Sequence, residues 1–235
     1  MYKFWKRFFD ICIALFTLIA LAWLLLPCML ILLCTGEHYI FYYQERIGKN
    51  GKPFKIIKFA TMLLNSPNMP GGTITTRNDP RVLPFGKFLR MTKINELPQV
   101  FNVLNGTMSI VGPRPLVEAG YKLYSAEEQK SIYRITPGVT GLGSLVLRDE
   151  EKYLSEQADP HKFYRENIIP YKASLEKWYQ DHMSLWTDLI IILLTAMAIL
   201  FPGMRNYSLF LKDLPAFPEW MLGTNDKRTA KQKQQ

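Results

Sequence analysis

The stretch KINELPQVFNVLNGTMSIVGPRP, Lys93 to Pro115, decides how this chain is read. Leu97, Val100, Phe101 and Leu104 fall at i, i+3, i+4 and i+7, the spacing of one helix face. Pro98 is tolerated only in the first turn of such a helix, because it has no N–H to donate further along. Asn95 is a good N-cap type, and Asn105-Gly106 is a good stop. The sequence therefore predicts a helix whose N-terminus carries Asn95 and Glu96. MSIV then predicts a short strand leading to Gly112-Pro113-Arg114-Pro115, where two prolines stiffen the backbone around one arginine.

A helix N-terminus presents unpaired N–H groups and a partial positive charge, which suit an anion. Arg90 and Lys93 lie just upstream, and the strand can bring Arg114 back beside them. Arginine grips phosphate through two parallel bonds, which lysine cannot do. A carboxylate in such a cluster could hold Mg²⁺ or act on phosphorus. The plainer reading is that Glu96 only complements the helix dipole while the arginines form surface ion pairs. There is no P-loop, and GLGS at Gly141 to Ser144 is no dinucleotide fingerprint. A nucleotide would have to be held by loops and basic side chains.

Toward the N-terminus, Ile11 to Thr35 is 25 residues without a charge. As one helix it would measure roughly 37 Å, against about 30 Å for a bilayer core. It is too long for a signal peptide and lacks an A-x-A cleavage site. Pro27 interrupts the run and predicts a break. Lys3, Lys6 and Arg7 precede it, and Arg46, Lys49, Lys52, Lys55 and Lys58 follow it. Positive charge on both flanks favours a helix-break-helix that enters and leaves one leaflet, over residues 1–35; a full span is the alternative.

The 235 residues carry a net charge of +9 with 48% apolar and 21% charged side chains, a folded chain with an anionic partner. Cys12, Cys28 and Cys34 all lie in the apolar segment and read as small packing residues. His38, His161 and His182 have no metal-site spacing.

Beyond Gly36, YIFYYQERIGKNGKPFKIIKF predicts two strands around an Asn50-Gly51 turn. LNSPNMPGGTITTRNDPRV predicts a long loop. Ser125 and Glu128 form a capping box opening a helix to about Arg134, and TPGVTGLG reads as a turn-rich loop. Pro160 to Met183 predicts surface helices. The 13 apolar residues Leu189 to Phe201 are too short to span and predict either a core helix or one lying on the membrane. The sequence thus predicts one globular domain over residues 36–224 and a basic, disordered tail over 225–235.

Several motifs, in order, resemble the bacterial sugar transferase family, the monotopic phosphoglycosyl transferases. They are KRFFD before the apolar segment, YYQERIGKNGKPFKIIKF, LPFGKFLR, NELPQVFNVLNGTMSIVGPRPL, TPGVTGL and a late DLIIILLTA. The resemblance covers nearly the whole chain. It implies an α/β-type globular catalytic domain with surface amphipathic helices, behind a re-entrant N-terminal membrane helix. It places that domain on the cytoplasmic face of the bacterial inner membrane. It implies transfer of a sugar phosphate from a UDP-sugar to polyprenyl (undecaprenyl) phosphate, with Mg²⁺ and release of UMP, at the start of exopolysaccharide, capsule or lipopolysaccharide assembly. Partners are then the UDP-sugar, polyprenyl phosphate and membrane lipid, with a homodimer allowed and nucleic acid excluded. The matching positions make Glu96 and Asn95 the catalytic pair and metal ligands. They make Arg90, Arg114, Lys58, Gln44 and Arg46 the phosphate and substrate contacts.

The chain departs from the family pattern where it matters. Asn95 stands where the family has a nucleophilic aspartate, Ala60 where a basic residue is usual, and Thr107 where GDMS has an acid. GLGSLVLRDEE replaces a GLAQVNGR-like stretch, and Leu26-Pro27 replaces Ser-Pro. An amide is a poor nucleophile. Three readings stay open: Glu96 takes over, alone or with Asn95 in a direct displacement; the protein is a catalytically impaired membrane scaffold; or an aspartate was changed to trap substrate.

Overall fold

The structure, a computed structural model, describes residues 1–69, 79–201 and 207–222. It opens with one long helix, α1 (Tyr2–Cys34), followed by an antiparallel hairpin of β1 (Phe41–Ile47) and β2 (Pro53–Phe59). Then come α2 (Pro84–Met91), α3 (Gln99–Leu104), β3 (Ser109–Val111), α4 (Glu118–Tyr121), α5 (Ala126–Ile132), β4 (Gly138–Thr140) and α6 (Leu142–Val146). The last elements are α7 (Glu150–Ser155), α8 (Pro160–Phe163), a π-helical turn (Tyr164–Ile168), α9 (Ile169–Asp181) and α10 (Leu185–Leu200). The fold is thus a mixed one, mostly helical, with two small two-stranded sheets.

The hairpin forms as its sequence predicts. The turn Lys49–Gly51 puts Asn50 and Gly51 at φ 57° and 72°, the left-handed region that Asn and Gly tolerate best. Strict pairing sets Gln44 opposite Ile56 and Tyr42 opposite Lys58, so Gln44, Arg46 and Lys58 share one face.

α1 differs from expectation. It runs through Pro27 as a single helix of 33 residues, roughly 50 Å long, with no break. One face, from Asp10 and Ala14 through Leu25, Cys28 and Leu32, is buried along the length. Ala14 packs with Ile56, Val100, Val103 and Met108; Leu25, Cys28 and Leu32 pack with Phe59 and Leu89. The burial of these apolar contacts offsets the loss of the one backbone bond that Pro27 removes. The opposite stripe, Phe16, Ile19, Trp23, Leu26, Leu30 and Leu33, is exposed although wholly apolar. Cys28 is a packing residue as expected, whereas Cys12 and Cys34 are exposed.

The charged N-terminal flank does more than select a membrane side. Arg7 donates to the carbonyls of Val103 (2.5 Å) and Leu104 (2.8 Å), at the C-terminal end of α3. Asp10 accepts from the N–H of Ile110 (3.0 Å) on β3. Lys6 and Tyr2 reach Asp188 on α10 at 2.8 and 2.9 Å. KRFFD is therefore a docking sequence that fastens α1 to three parts of the domain.

Three further expectations change. TPGVTGLG is no simple loop, since its Gly138–Thr140 pairs in parallel with β3. α9 is not a surface helix: it buries Tyr171, Leu175, Trp178 and Tyr179 in the largest core and Ile169 and Ala173 in a second one. α10 packs on the core through one face, with Ile191, Leu194 and Ala198 buried, while Trp186, Leu193 and Leu200 are exposed. The capping box at Ser125 and Glu128 is present. Part of the long loop and the C-terminal tail lie outside the described residues.

The β3–β4 crossing depends on glycine. A Cβ on Gly138 would sit 2.1 Å from the backbone nitrogen of Gly112. Backbone cannot yield as a side-chain tip can, so Gly138→Ala is expected to cost about 3 kcal/mol. That corresponds to a thermal midpoint lowered by roughly 6–12 °C, measured by calorimetry of the full chain in detergent.

Candidate active site

The predicted cap does not form. Ile94–Glu96 is a 3₁₀ turn entered through Lys93 at φ 60°, and α3 begins only at Gln99, with no side-chain cap on its first N–H groups. The bonds from Glu96 N–H to Lys93 O and from Leu97 N–H to Ile94 O, both 3.1 Å, are of the tighter i→i−3 type, so the chain before Pro98 turns as a 3₁₀ segment and not as the first turn of α3. Of the predicted apolar face, Val100 is buried, Leu97 and Leu104 are half-buried and Phe101 is exposed; Val103 is buried in its place.

The turn instead aims Glu96 at the hairpin. Glu96 Oε1 accepts from Lys58 Nζ at 3.1 Å and from Arg114 Nη2 at 3.3 Å. Three segments distant in sequence converge on one oxygen. Arg114 arrives on the Gly112–Pro115 link, whose backbone is fixed by Gly112 N–H to Thr140 O (3.0 Å), Gly138 N–H to Pro113 O (2.9 Å) and Tyr133 O–H to Arg114 O (3.2 Å). Lys58 is aligned by Asn102, almost fully buried in α3. Its Oδ1 takes the N–H of Ile57 (2.9 Å) and its Nδ2 gives to the carbonyl of Lys55 (2.8 Å), so it bonds β2 like an additional strand.

Arg46 completes the cluster. Gln44 Oε1 receives both its Nε (3.0 Å) and Nη2 (2.6 Å), and Pro115 O receives Nη1 (3.2 Å). Arg46, Lys58 and Arg114 line one cleft together with Gln99, Pro115, Ile56 and Gly138. Three cations face one carboxylate there, an excess of positive charge that calls for a polyanion.

The electrostatics follow. Burial alone would raise the Glu96 pKa, but Lys58, Arg114 and Lys93 outweigh it and hold the carboxyl well below its usual range. Lys58 is pushed down to about 8, by burial first and by Arg114 and Arg46 next, against the pull of Glu96. Arg46 is pushed down to about 10 by burial and by Arg114. Glu96 is therefore a permanently charged and weakly basic group.

Of the residues singled out in the sequence, Glu96, Lys58, Arg114, Arg46 and Gln44 come together. Arg90 does not join them; its Nη1 lies 3.7 Å from the Met62 sulfur, an interaction too weak to hold it. Asn95 is buried beside Glu96, and its Oδ1 meets no hydrogen-bond partner among the described residues. Ala60 contributes only a backbone bond to Ile40 (2.9 Å), and Thr107 closes the turn after α3 through Asn105 (2.7 Å). Sequence reasoning missed Gln99 and Asn102, both polar residues at buried helix positions. A buried amide in an otherwise apolar helix was the available signal.

The site is thus a cluster of cations around one carboxylate, in a chain that opens with a long apolar helix. Comparison with known sequences places it further: the bacterial sugar transferase family matches residues 1–202, and the chain belongs to that family. It is 36% identical over 208 residues to an exopolysaccharide production protein, ExoY, of Sinorhizobium fredii, covering 83% of this chain and 84% of that protein. It is 36% identical to a UDP-glucose:undecaprenyl-phosphate glucose-1-phosphate transferase of Klebsiella pneumoniae, covering 87% of this chain. It is 31% identical to an undecaprenyl-phosphate galactose phosphotransferase of Salmonella typhimurium, covering 84% of this chain. The chain spans 41% of the length of each of the latter two.

Asn102→Ala tests the alignment of Lys58. Stranding the buried N–H of Ile57 and carbonyl of Lys55 is expected to cost about 2–4 kcal/mol in urea unfolding. Inorganic pyrophosphate should bind the variant more weakly in calorimetry.

Proposed function

We propose that this protein transfers a sugar phosphate from a UDP-sugar to polyprenyl phosphate and releases UMP. The observation that carries this reading is the meeting of Lys58, Arg114 and Glu96 in a cleft also walled by Arg46. A diphosphate diester brings two negative charges to that cleft, and the three cations offset the charge that develops as its bridging bond breaks.

The low basicity of Glu96 favours a direct displacement. Lysine and arginine bonds occupy Oε1 and withdraw its electron density, which makes Glu96 a poor nucleophile and a poor base. The lipid phosphate is already anionic and needs no base. One of its oxygens forms a bond to the β-phosphorus, the bond from that phosphorus to the bridging oxygen breaks, and UMP departs with the electron pair. The product is a lipid-linked diphosphate sugar. Glu96 fixes Lys58 and Arg114 in the positions that bind the transferred group. No covalent enzyme intermediate is needed, which is consistent with Asn95 in the nucleophile's place.

Magnesium fits this donor set as a partial platform. The unpartnered Asn95 Oδ1 and the neighbouring carboxylate of Glu96 would hold it. Bound there, it supplies charge neutralisation on the diphosphate. Among the described residues no three His, Cys, Asp or Glu side chains gather as a self-sufficient site.

The apolar stripe of α1 and the exposed face of α10 support attachment to lipid from one side. A bilayer crossing would need α1 to leave the domain it is packed against along both halves. This favours an unbroken α1 lying along one side of the bilayer over a span, with both basic flanks on the cytoplasmic face. Arg90, near the exposed Phe88 and Met91, is then free to meet the lipid phosphate. The relatives' names give no support to an impaired scaffold.

Incubation with a panel of UDP-sugars and undecaprenyl phosphate should release UMP, and silence across the panel would defeat the proposal. Glu96→Gln should lower turnover at least about 100-fold. Mass spectrometry with UDP-sugar alone should show no sugar-phosphate adduct; an adduct on Glu96 would replace direct displacement with a covalent route. Replacing Phe16, Ile19 and Trp23 together by serine should move protein from the membrane to the soluble fraction.

A further inference from the structure

Among the buried acids that the mechanism above does not use, Glu176 is the most deeply buried. Glu176, on α9, is 2% exposed, and neither carboxylate oxygen closes a hydrogen bond with any described residue. Its neighbour one turn back, Lys172, is already matched by Glu150 at 2.7 Å, so it leaves Glu176 without an ion-pair partner. The carboxylate faces the backbone N–H groups of Arg114 and Gly143. The approach to Gly143 is close: a Cβ there would lie 2.5 Å from Glu176 Oε1. Tyr124 and Tyr133 face it from the α5 side, and Tyr133 also holds the Arg114 carbonyl. Tyr164 covers Lys172 at 5.6 Å.

We propose that Glu176 is a positioning residue for Arg114: its ionised carboxylate draws in the N–H groups of Arg114 and Gly143 and so sets where the guanidinium meets the diphosphate. Two N–H groups aimed at one acid are served best by two acceptor oxygens. A protonated carboxyl keeps one good acceptor and turns the other into a donor. Burial pushes the Glu176 pKa up to about 7, against the opposing influence of Lys172 and the two N–H groups. The sign follows. Below that pH Glu176 carries a proton and its hold on the Arg114 backbone slackens. As pH rises through it the charge returns and the grip on the diphosphate tightens.

This inference rests on the proposed UDP-sugar chemistry, and binding separates the two. UDP-glucose and UDP-galactose are titrated by calorimetry into the full chain in detergent from pH 5.5 to 7.5. Their diphosphate keeps its charge throughout that range, and Lys58 keeps most of its own. The wild type should gain about fivefold in affinity across the range. Glu176→Gln, which cannot ionise, should bind at the weak, acid-limit level with a change below twofold. Gly143→Ala, which drives a methyl group into Oε1, should flatten the profile likewise and serves if the Gln variant fails to fold. A flat wild-type profile, or an unchanged rise in a folded Gln variant, overturns the positioning role alone. Absence of binding at every pH overturns the UDP-sugar reading and this inference with it.

Discussion

Everything at this site depends on a single oxygen, Glu96 Oε1, shared by Lys58 and Arg114. Half-buried side chains make such a bond matter. The side chains of Lys58 and Glu96 are 15% and 19% exposed, too little for water to replace the partner that each would lose. A carboxylate so placed organises cations. It aligns two of them, lets a third stand close by, and leaves the cleft still positive. Under the proposed function, an incoming diphosphate would find its counter-charges prearranged, which lowers the reorganisation that a phosphoryl transfer requires.

The rest of the fold serves that alignment. α3 ties to β2 through Asn102, so the carboxylate and Lys58 move as one body. The glycine crossing of β3 and β4 brings the Arg114 link against the core. α1 then clamps the far ends of both units, through Arg7 on α3 and Asp10 on β3. The long apolar helix is thus also a brace for the site. In the proposed reading, membrane attachment and site assembly would share the same hydrogen bonds, and a lipid-bound acceptor would meet a site already held at the bilayer.

The replacement of an aspartate by Asn95 takes on meaning in this setting. Two adjacent carboxylates would share the cations of the cleft between them. With an amide at 95, Glu96 receives them alone and is driven far below its usual pKa. That suppresses its nucleophilicity and leaves its electrostatic role intact. The chain retains the cation cluster, the Gly-Pro-Arg-Pro link and the hairpin while changing the residue on which a covalent route would depend.

Much of this was legible in the order of residues. The hairpin, the capping box, the strand before Gly112 and the apolar α1 are set by local rules: turn residues, side-chain periodicity and chain stiffness act over a few positions. The candidate residues Glu96, Arg114, Lys58, Arg46 and Gln44 could likewise be picked out by type and motif. Their meeting could not. Lys58 and Glu96 are 38 residues apart and Glu96 and Arg114 are 18 apart, and only packing decides that they touch while Arg90 does not. Packing also made a core helix of the charged segment Ile169–Asp181, kept α1 straight through Pro27, and turned its basic flank into hydrogen bonds with the domain. Local sequence specifies which backbone shapes are affordable; the burial of apolar faces selects which distant charges must then find one another.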